Sequence, residues 1–214
     1  MNPINPMNPT NPKDPLNLII TGVGGQGNVL ASQILGRAAA LKGLRVTIGE
    51  TFGLSQRGGP VMSHIRLSGT KNPGPLIPPN MAHIIIGLEP LETLRILMEY
   101  GNEETILIAN SRPIYPLNVI AGEVEYPAQE WIRGVLSQSG ARLFWLEATR
   151  MAVDSGGPIM LNMIMLGALC ALKDFPVDIG DIKDVLKVFF PESRLKQNYD
   201  ALDTGGGLTG DSEN

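Results

Sequence analysis

The chain of 214 residues is 43% hydrophobic and 18% charged, which suits one domain with a sizeable core and a surface partly covered by a partner. Its net charge of −4, with no run of Lys or Arg, argues against nucleic-acid binding. The N-terminus lacks the basic head and apolar stretch of a signal peptide, and the uncharged apolar run at 158–172 is too short to cross a bilayer, so we expect a cytoplasmic protein without membrane contact.

The first 15 residues carry a repeated Asn-Pro pair. The pair recurs four times at a three-residue step, beginning at Asn2 and ending at Asn11-Pro12. Proline removes backbone donors and holds the chain extended. Residues 1–15 are therefore predicted to form a disordered or polyproline-like tail, and the folded domain is expected to begin at residue 16.

A glycine-rich loop lies between a predicted strand and a predicted helix. Residues 18–21 form a short apolar run typical of a buried parallel strand, and 28–41 has apolar residues at helical spacing. Between them the chain matches the pattern G-x-G-x-x-G. Glycine permits the tight turn and the close approach of a ligand, while the first N–H groups of the helix face an anion. The candidate cofactor-binding residues are Gly22, Gly24, Gly25, Gln26, Gly27 and Asn28.

This loop is typical of a nucleotide-type fold, but it does not identify a ligand. A tight turn that holds no ligand remains open. Glu50 follows the next predicted strand, at 45–48, near the position where a dinucleotide-binding domain places its ribose-binding acid. NAD or FAD binding therefore stays open, as does a solvated carboxylate at a strand end.

A second glycine-rich segment follows directly, at 53–60. It offers a hydroxyl, an amide and a guanidinium group between glycines, and the guanidinium of Arg57 can hold a carboxylate or phosphate with two parallel hydrogen bonds. An ordinary dinucleotide domain does not need such a loop. We predict a substrate or partner interface here, with a polar surface turn as the alternative, and its residues are Ser55, Gln56, Arg57, Gly58 and Gly59.

The middle of the chain continues the alternation of strands and helices. Strands are predicted at 61–67, 84–86, 105–109 and 143–146, and helices at 90–100 and near 128–138. For His64 and His83 we expect structural roles in or beside these strands. No Ser/His/Asp set, carboxylate pair or metal-ligand cluster in the sequence has a spacing that indicates catalysis or a metal site.

The last third of the chain is predicted to be helical, at 158–172, 179–189 and 192–202. Its methionines are expected to fill gaps in a core or an interface. Asn162 is unusual among these apolar neighbours and is expected to cap a helix or to hydrogen-bond across an interface. The glycine-rich and polar stretch 204–214 predicts a flexible tail.

The single cysteine, Cys170, limits the redox chemistry. It allows no disulfide within the chain and no thiolate cage for zinc or an iron–sulfur cluster. Its place in an apolar run indicates a small buried side chain. Any electron carrier is therefore expected on another polypeptide.

The order of these elements predicts an α/β fold. Strands that alternate with helices indicate a Rossmann-like, mainly parallel sheet flanked by helices. The three terminal helices would form a helical C-terminal appendage. A single domain is expected over 16–203.

These segments together resemble the gamma-type domain of the 2-oxoacid:ferredoxin oxidoreductases, and within that family the beta subunit of the indolepyruvate type. The resemblance spans about 16–202, and the run from Ser55 to Gly59 is its most specific part. It also includes the glycine loop with the following 30–35, then Glu50, the segment 63–66, and the helical segment 165–168 with the region of Asn198. Two positions depart from the family pattern, since Phe52 stands where many relatives have histidine and Pro60 where a small residue is expected.

The resemblance implies a complex that oxidatively decarboxylates a 2-oxoacid, of the indolepyruvate or another arylpyruvate type, on thiamine diphosphate with Mg²⁺. Two electrons pass through 4Fe-4S clusters to ferredoxin, and the acyl group passes to coenzyme A. The family places the thiamine site and the clusters on a larger alpha subunit, in an α2β2 heterotetramer. No cofactor is then expected to be held by this chain alone.

The role implied for this chain is to complete the assembly and to help position coenzyme A or the substrate, without a complete active site of its own. Arg57 is expected to serve as an anion partner or interface anchor. Two other functions remain open from the residues themselves. One is a free-standing NAD- or FAD-binding oxidoreductase that uses Glu50, and the other is a non-catalytic interaction subunit whose glycine loop is empty.

Overall fold

A six-stranded mixed sheet forms the centre of the computed structural model, which describes residues 13–52 and 59–209. The order of the strands across the sheet is β2-β3-β1-β4-β5-β6. The strands β1, β4, β5 and β6 pair in parallel, whereas β3 runs antiparallel to both β1 and β2. The predicted mainly parallel sheet is confirmed. The strands are β1 Leu16–Val23, β2 Arg45–Phe52, β3 Pro60–Ser68, β4 Ile84–Gly87, β5 Ile106–Asn110 and β6 Arg142–Leu146.

Helices cover both faces of this sheet. Six of the eight α-helices in the described residues lie where helices were predicted, and two short ones were not predicted because four and seven residues give too few turns for a helical pattern. The helices before the C-terminal part are α1 Asn28–Leu41, α2 Pro90–Tyr100, α3 Leu117–Ile120, α4 Gln129–Gln138 and α5 Ala148–Asp154. The C-terminal part has a 3-10 turn at Pro158–Met160 and the helices α6 Leu161–Cys170, α7 Ile179–Phe189 and α8 Glu192–Gly206.

Every residue of β1 is buried, as expected for a central strand that is covered on both faces. Its alternate side chains belong to two cores. Ile20 packs with α1 and the C-terminal helices, whereas Ile19 packs with α2 and α4 on the opposite face. The C-terminal helices therefore cover one face of the sheet and share its core, so that they are not a separate unit.

The helices α6 and α8 pack with their backbones in close approach. A Cβ atom at Gly167 would lie 2.1 Å from the carbonyl oxygen of Leu202, and one at Gly205 would lie 2.0 Å from that of Ile164. Only glycine leaves room for this contact. The crossing fixes where α8 lies relative to the start of α6, and this position matters for the site described below.

The C-terminal boundary differs from the prediction. Helix α8 continues to Gly206, and Thr209 is 5% exposed and donates a hydrogen bond of 2.7 Å to the Ala168 carbonyl. The flexible tail expected from residue 204 was therefore placed too early, because buried packing on α6 outweighs the glycine-rich composition. Residues 210–214, and 1–12 of the N-terminal tail, lie outside the described part of the chain.

Within residues 13–52 and 59–209, no helix has the length and apolar character needed to span a membrane.

Candidate functional site

The glycine loop turns sharply between β1 and α1. Gly25 and Gly27 have φ values of 99° and 83°, in the left-handed region where a side chain is strained. The side chain of Gln26 stabilises the turn through two hydrogen bonds. Its Oε1 accepts from Val23 N at 2.8 Å, and its Nε2 donates to Leu88 O at 2.9 Å. The side chain of Gln26 is thus used within the fold, whereas the loop backbone borders open space.

A cavity of about 1000 Å³ lies beside this loop. Of the six candidate cofactor-binding residues, Gly24, Gly25, Gln26 and Gly27 line it. The other two are placed elsewhere: Gly22 lies against Gln26, and the Asn28 side chain, 3% exposed, donates to the carbonyl of Val61 on β3 at 3.4 Å. The structure therefore brings the centre of the predicted loop to a cavity.

The charged side chains among the described residues that line the cavity are both basic. Arg112 and Arg194 are among the described residues that line it, and none of those residues is Asp or Glu. This differs from the chain as a whole, in which 21 acidic residues exceed 17 basic ones. The positive end of α1 also faces this side, and no side chain in the described structure caps its first N–H groups. The cavity is therefore suited to an anionic ligand.

The uncharged part of the cavity lining is largely apolar. It includes side chains from α1, the 3-10 turn, α6 and the segment after α7, and some of the rim residues are largely exposed, such as Ile159 at 71%. A long ligand with an anionic part and an apolar part would match this combination of lining residues. The apolar lining includes Leu30, Ile159, Met160, Met163 and Phe190.

Asn162 links α6 to the glycine loop. Its Nδ2 donates a hydrogen bond of 2.7 Å to the Gln26 carbonyl. The residue is 6% exposed, and its Oδ1 is buried without a donor in the described part of the chain. An unpaired buried acceptor costs about 1–3 kcal/mol. Asn162 thus caps neither α1 nor α6, and its hydrogen bond lies within the chain, between two elements that are far apart in the sequence.

Three polar residues that line the cavity, Arg112, Arg194 and Asn198, were not predicted as site residues from the sequence. Arg112 follows the carboxyl end of β5, and ligands of α/β sheets bind outside the carboxyl ends of parallel strands, so this position carried a usable signal. The residues Arg194 and Asn198 lie on α8, and only the packing of α8 on α6 brings them to the cavity. No local pattern could have shown this.

The segment with Arg112 is anchored by buried polar contacts. Asn110 donates to Leu88 O at 3.0 Å and to the Thr149 hydroxyl at 2.9 Å. Further along, Tyr126 donates a hydrogen bond to Glu89, whose other oxygen caps α2 by accepting from Glu92 N at 2.9 Å. Burial raises the pKa of Glu89, and the Tyr126 hydroxyl opposes that rise. These contacts hold both ends of the segment that carries Arg112.

Glu50 does not have the environment of a ribose-binding acid. Its two carboxylate oxygens accept hydrogen bonds from the hydroxyls of Ser32 at 2.9 Å and Ser63 at 2.8 Å. In a dinucleotide-binding domain the strand with this acid is adjacent to the first strand. Here β3 lies between β1 and β2. The geometry thus gives no support to NAD or FAD binding through Glu50.

Both histidines have structural roles, as predicted. His64 is 1% exposed, its Nδ1 accepts from Ile77 N at 3.3 Å, and its ring meets that of Tyr100 edge-on. His83 Nδ1 accepts from Asn17 N at 2.9 Å. Burial lowers the pKa of both rings, to about 4 for His83, so both are neutral at pH 7.

The Cys170 thiol and the potential metal ligands among the described residues give no indication of a reactive centre. Burial raises the pKa of the Cys170 thiol, which keeps it protonated at neutral pH. In the part of the chain that the structure describes, no group of three or more His, Cys, Asp or Glu residues is placed to hold a metal ion.

The second glycine-rich segment is described only at its end. Gly59 is buried, and its carbonyl accepts a hydrogen bond of 2.8 Å from Gly24 N, so this segment meets the glycine loop. The predicted interface residues Ser55, Gln56, Arg57 and Gly58 lie outside the described residues. Pro60 begins β3, and nothing in the structure bears on the side chain of Phe52.

Comparison with known sequences gives one family and several similar subunits. The family described as pyruvate ferredoxin/flavodoxin oxidoreductase matches residues 17–207. Indolepyruvate oxidoreductase subunit IorB of Pyrococcus horikoshii is 34% identical over 190 residues, which cover 88% of this chain and 93% of the relative.

Solved structures share the fold. Pyruvate oxidoreductase subunit PORC of Thermotoga maritima superposes with a TM-score of 0.69 at 22% identity, over 92% of this chain and 97% of that one. The 2-oxoglutarate:ferredoxin oxidoreductase of Magnetococcus marinus, with 2-oxoglutarate, coenzyme A and succinyl-CoA bound, has a TM-score of 0.71 at 22% identity. It is matched over 92% of this chain and 31% of that chain.

Proposed function

Because this chain belongs to the pyruvate ferredoxin/flavodoxin oxidoreductase family, we propose that it is a subunit of a 2-oxoacid:ferredoxin oxidoreductase of the indolepyruvate or another arylpyruvate type. The complex would convert the 2-oxoacid to an acyl-CoA and reduce ferredoxin. The similarity to subunits named for indolepyruvate supports this choice of substrate.

In this proposal the cofactors belong to a larger alpha subunit, within an α2β2 complex. Thiamine diphosphate with Mg²⁺ supplies the decarboxylation chemistry there, and 4Fe-4S clusters carry the electrons to ferredoxin. The single cysteine of this chain supports the division, because a 4Fe-4S cluster ordinarily needs four thiolates.

The role of this chain is to hold coenzyme A in the cavity beside the glycine loop. The observation that carries this role is the charge of the cavity, which combines two arginines and the start of α1 with no described carboxylate. Coenzyme A has phosphates for the two arginines and a long acyl-carrier arm for the apolar lining residues. Coenzyme A is also bound in the 2-oxoglutarate enzyme that shares the fold.

The residues of this chain would bind and orient the acyl acceptor without reacting. Arg112 and Arg194 attract the phosphates, and the N–H groups at the start of α1 orient them. Leu30 and Phe190 exclude water from the arm. Holding the acceptor in one orientation raises the rate of acyl transfer because the reacting groups no longer meet at random.

The proposal is tested with the co-purified complex. Arg194→Ala removes one charge from the wall, and we expect the KM for coenzyme A to rise about tenfold or more, with the KM for the 2-oxoacid unchanged. Arg133→Ala is the matched control, because Arg133 is exposed on α4 and does not line the cavity. An unchanged KM for coenzyme A in Arg194→Ala would contradict the proposed role and would favour a non-catalytic interaction subunit.

A further inference from the structure

The carboxamide of Asn162 controls one peptide group of the glycine loop. Its Nδ2 donates to the Gln26 carbonyl at 2.7 Å. In a trans peptide the C=O and the following N–H point in opposite directions, so this hydrogen bond also fixes the direction of the Gly27 N–H. A Cβ atom at Gly27 would lie 2.4 Å from Asn162 Nδ2, which shows how closely the two residues approach.

The oxygen of the same carboxamide has no hydrogen-bond donor among the described residues. Asn162 lines the cavity and is 6% exposed, and its Oδ1 receives no hydrogen bond from residues 13–52 or 59–209. Buried polar atoms are almost always paired, and an unpaired one in a folded protein calls for a physical reason. A leucine of similar size would fill the position without stranding an acceptor. A bound ligand that donates a hydrogen bond to Oδ1 would explain why asparagine is present at this position.

The position of Asn162 restricts which donor this is. Asn162 contacts Gln26, at the start of α1, where a phosphate is expected to bind. The donor must therefore lie close to a phosphate of the ligand. The oxygens of an inorganic polyphosphate are mostly acceptors, and Oδ1 would repel an acceptor oxygen that faced it.

We propose that Asn162 is a specificity-determining residue of the cavity, in which Oδ1 accepts a hydrogen bond from a hydroxyl or amide N–H group that lies near a phosphate of the bound ligand. The inference rests on the proposed function, because coenzyme A carries hydroxyl and amide donors within a few bonds of its phosphates. Asn162 thereby selects a phosphate ester with a neighbouring donor over an inorganic polyphosphate.

The experiment compares two ligands on the co-purified complex at saturating Mg²⁺ and thiamine diphosphate. These are coenzyme A as substrate and inorganic diphosphate as competitor. Asn162→Leu removes the acceptor, and we expect the KM for coenzyme A to rise about tenfold more than the inhibition constant for diphosphate, with kcat little changed. A purely structural role would weaken both ligands by the same factor.

Two further variants separate the loss of the Oδ1 acceptor from general effects of replacing a buried asparagine. Asn162→Asp is isosteric and keeps the acceptor, so it should weaken both ligands through its negative charge and leave their ratio near that of the wild type. Asn17→Leu is the matched control, because Asn17 is 2% exposed and also donates to a carbonyl, that of Met81, but lies at the opposite end of β1. It should change neither constant for the two ligands.

The possible results separate the inference from the proposed function. If Arg194→Ala raises the KM for coenzyme A but Asn162→Leu weakens both ligands equally, or neither, the inference alone is overturned. If neither Arg194→Ala nor Asn162→Leu alters the KM for coenzyme A, the cavity does not hold this ligand and both proposals fail.

Discussion

The amide of Gly24 donates a hydrogen bond of 2.8 Å to the carbonyl of Gly59, which ties the two glycine-rich segments together. Gly24 lines the cavity. Gly59 is the last residue of the run from Ser55 to Gly59, which is the most specific part of the family resemblance. The backbone of that segment thus reaches the loop at which we propose coenzyme A binds. A change in the segment can therefore affect both the cavity and a partner that covers it.

The first prediction concerns Arg57 in that segment. We expect Arg57→Ala either to raise the KM for coenzyme A at least tenfold, because a bidentate anion contact is lost, or to reduce co-purification with the larger subunit, because an interface anchor is lost. Steady-state kinetics and size-exclusion chromatography of the complex measure the two effects. Arg57→Lys keeps the charge without the planar fork and should be intermediate. Normal assembly with full activity in Arg57→Ala would rule out both roles.

The fold could be predicted where its signals are local. The strand β1, the glycine loop and α1 follow one another within 26 residues, so an apolar run, glycine spacing and helical periodicity were sufficient. The antiparallel direction of β3 was not predictable in this way. It depends on pairing with β1 and β2, and an apolar alternation within 61–67 is the same for either strand direction.

The site was predicted only in part, for a related reason. The glycine loop was found because its tight turn requires glycines, and their spacing is visible in the sequence. Arg194 and Asn198 were not found, because they reach the cavity through the crossing of α6 and α8, which depends on Gly167 and Gly205. Single glycines within helical patterns do not reveal which helix they contact.

The second prediction concerns this helix crossing. Gly205→Ala places a Cβ atom 2.0 Å from the backbone oxygen of Ile164, so the helices must separate, and we expect the free energy of unfolding to fall by about 3 kcal/mol. Urea denaturation measures the loss. Gly134→Ala is the matched control, because Gly134 lies in α4 with nothing within 4 Å of its Cβ position. That variant should gain about 0.5–1 kcal/mol, and equal effects of the two substitutions would refute the close crossing.

The third prediction concerns the segment that carries Arg112. Tyr126→Phe removes the hydroxyl that donates to the buried Glu89 carboxyl, so we expect a loss of about 1–3 kcal/mol in the free energy of unfolding. Hydrogen exchange of amides in 111–128 should accelerate, because one anchor of this segment is gone. The control is Tyr115→Phe, since Tyr115 is 52% exposed. Unaltered exchange in Tyr126→Phe would show that the segment is held by other contacts.

The fourth prediction is a pH dependence of stability that arises from His83. Burial holds the pKa of its ring at about 4 in the folded chain, against about 6.5 when the chain is unfolded. Between these two values the unfolded chain binds more protons, so the free energy of unfolding decreases as the pH falls from 6.5 to 4. The contribution of His83 is fully present above pH 6.5 and amounts to at most about 3 kcal/mol, less the screening from its partial exposure.

His83→Asn separates this titration from the hydrogen bond that His83 makes. The Asn Oδ1 can accept from Asn17 N in place of the ring Nδ1, but it does not titrate. Urea denaturation of the wild type and the variant between pH 4 and pH 7 should therefore show a smaller slope for the variant, with similar stability near pH 7. Part of the slope should persist, because burial also lowers the pKa of His64. Identical slopes would mean that His83 is protonated in the folded chain as readily as in the unfolded one, and its Nδ1 could then not keep accepting from Asn17 N over this pH range.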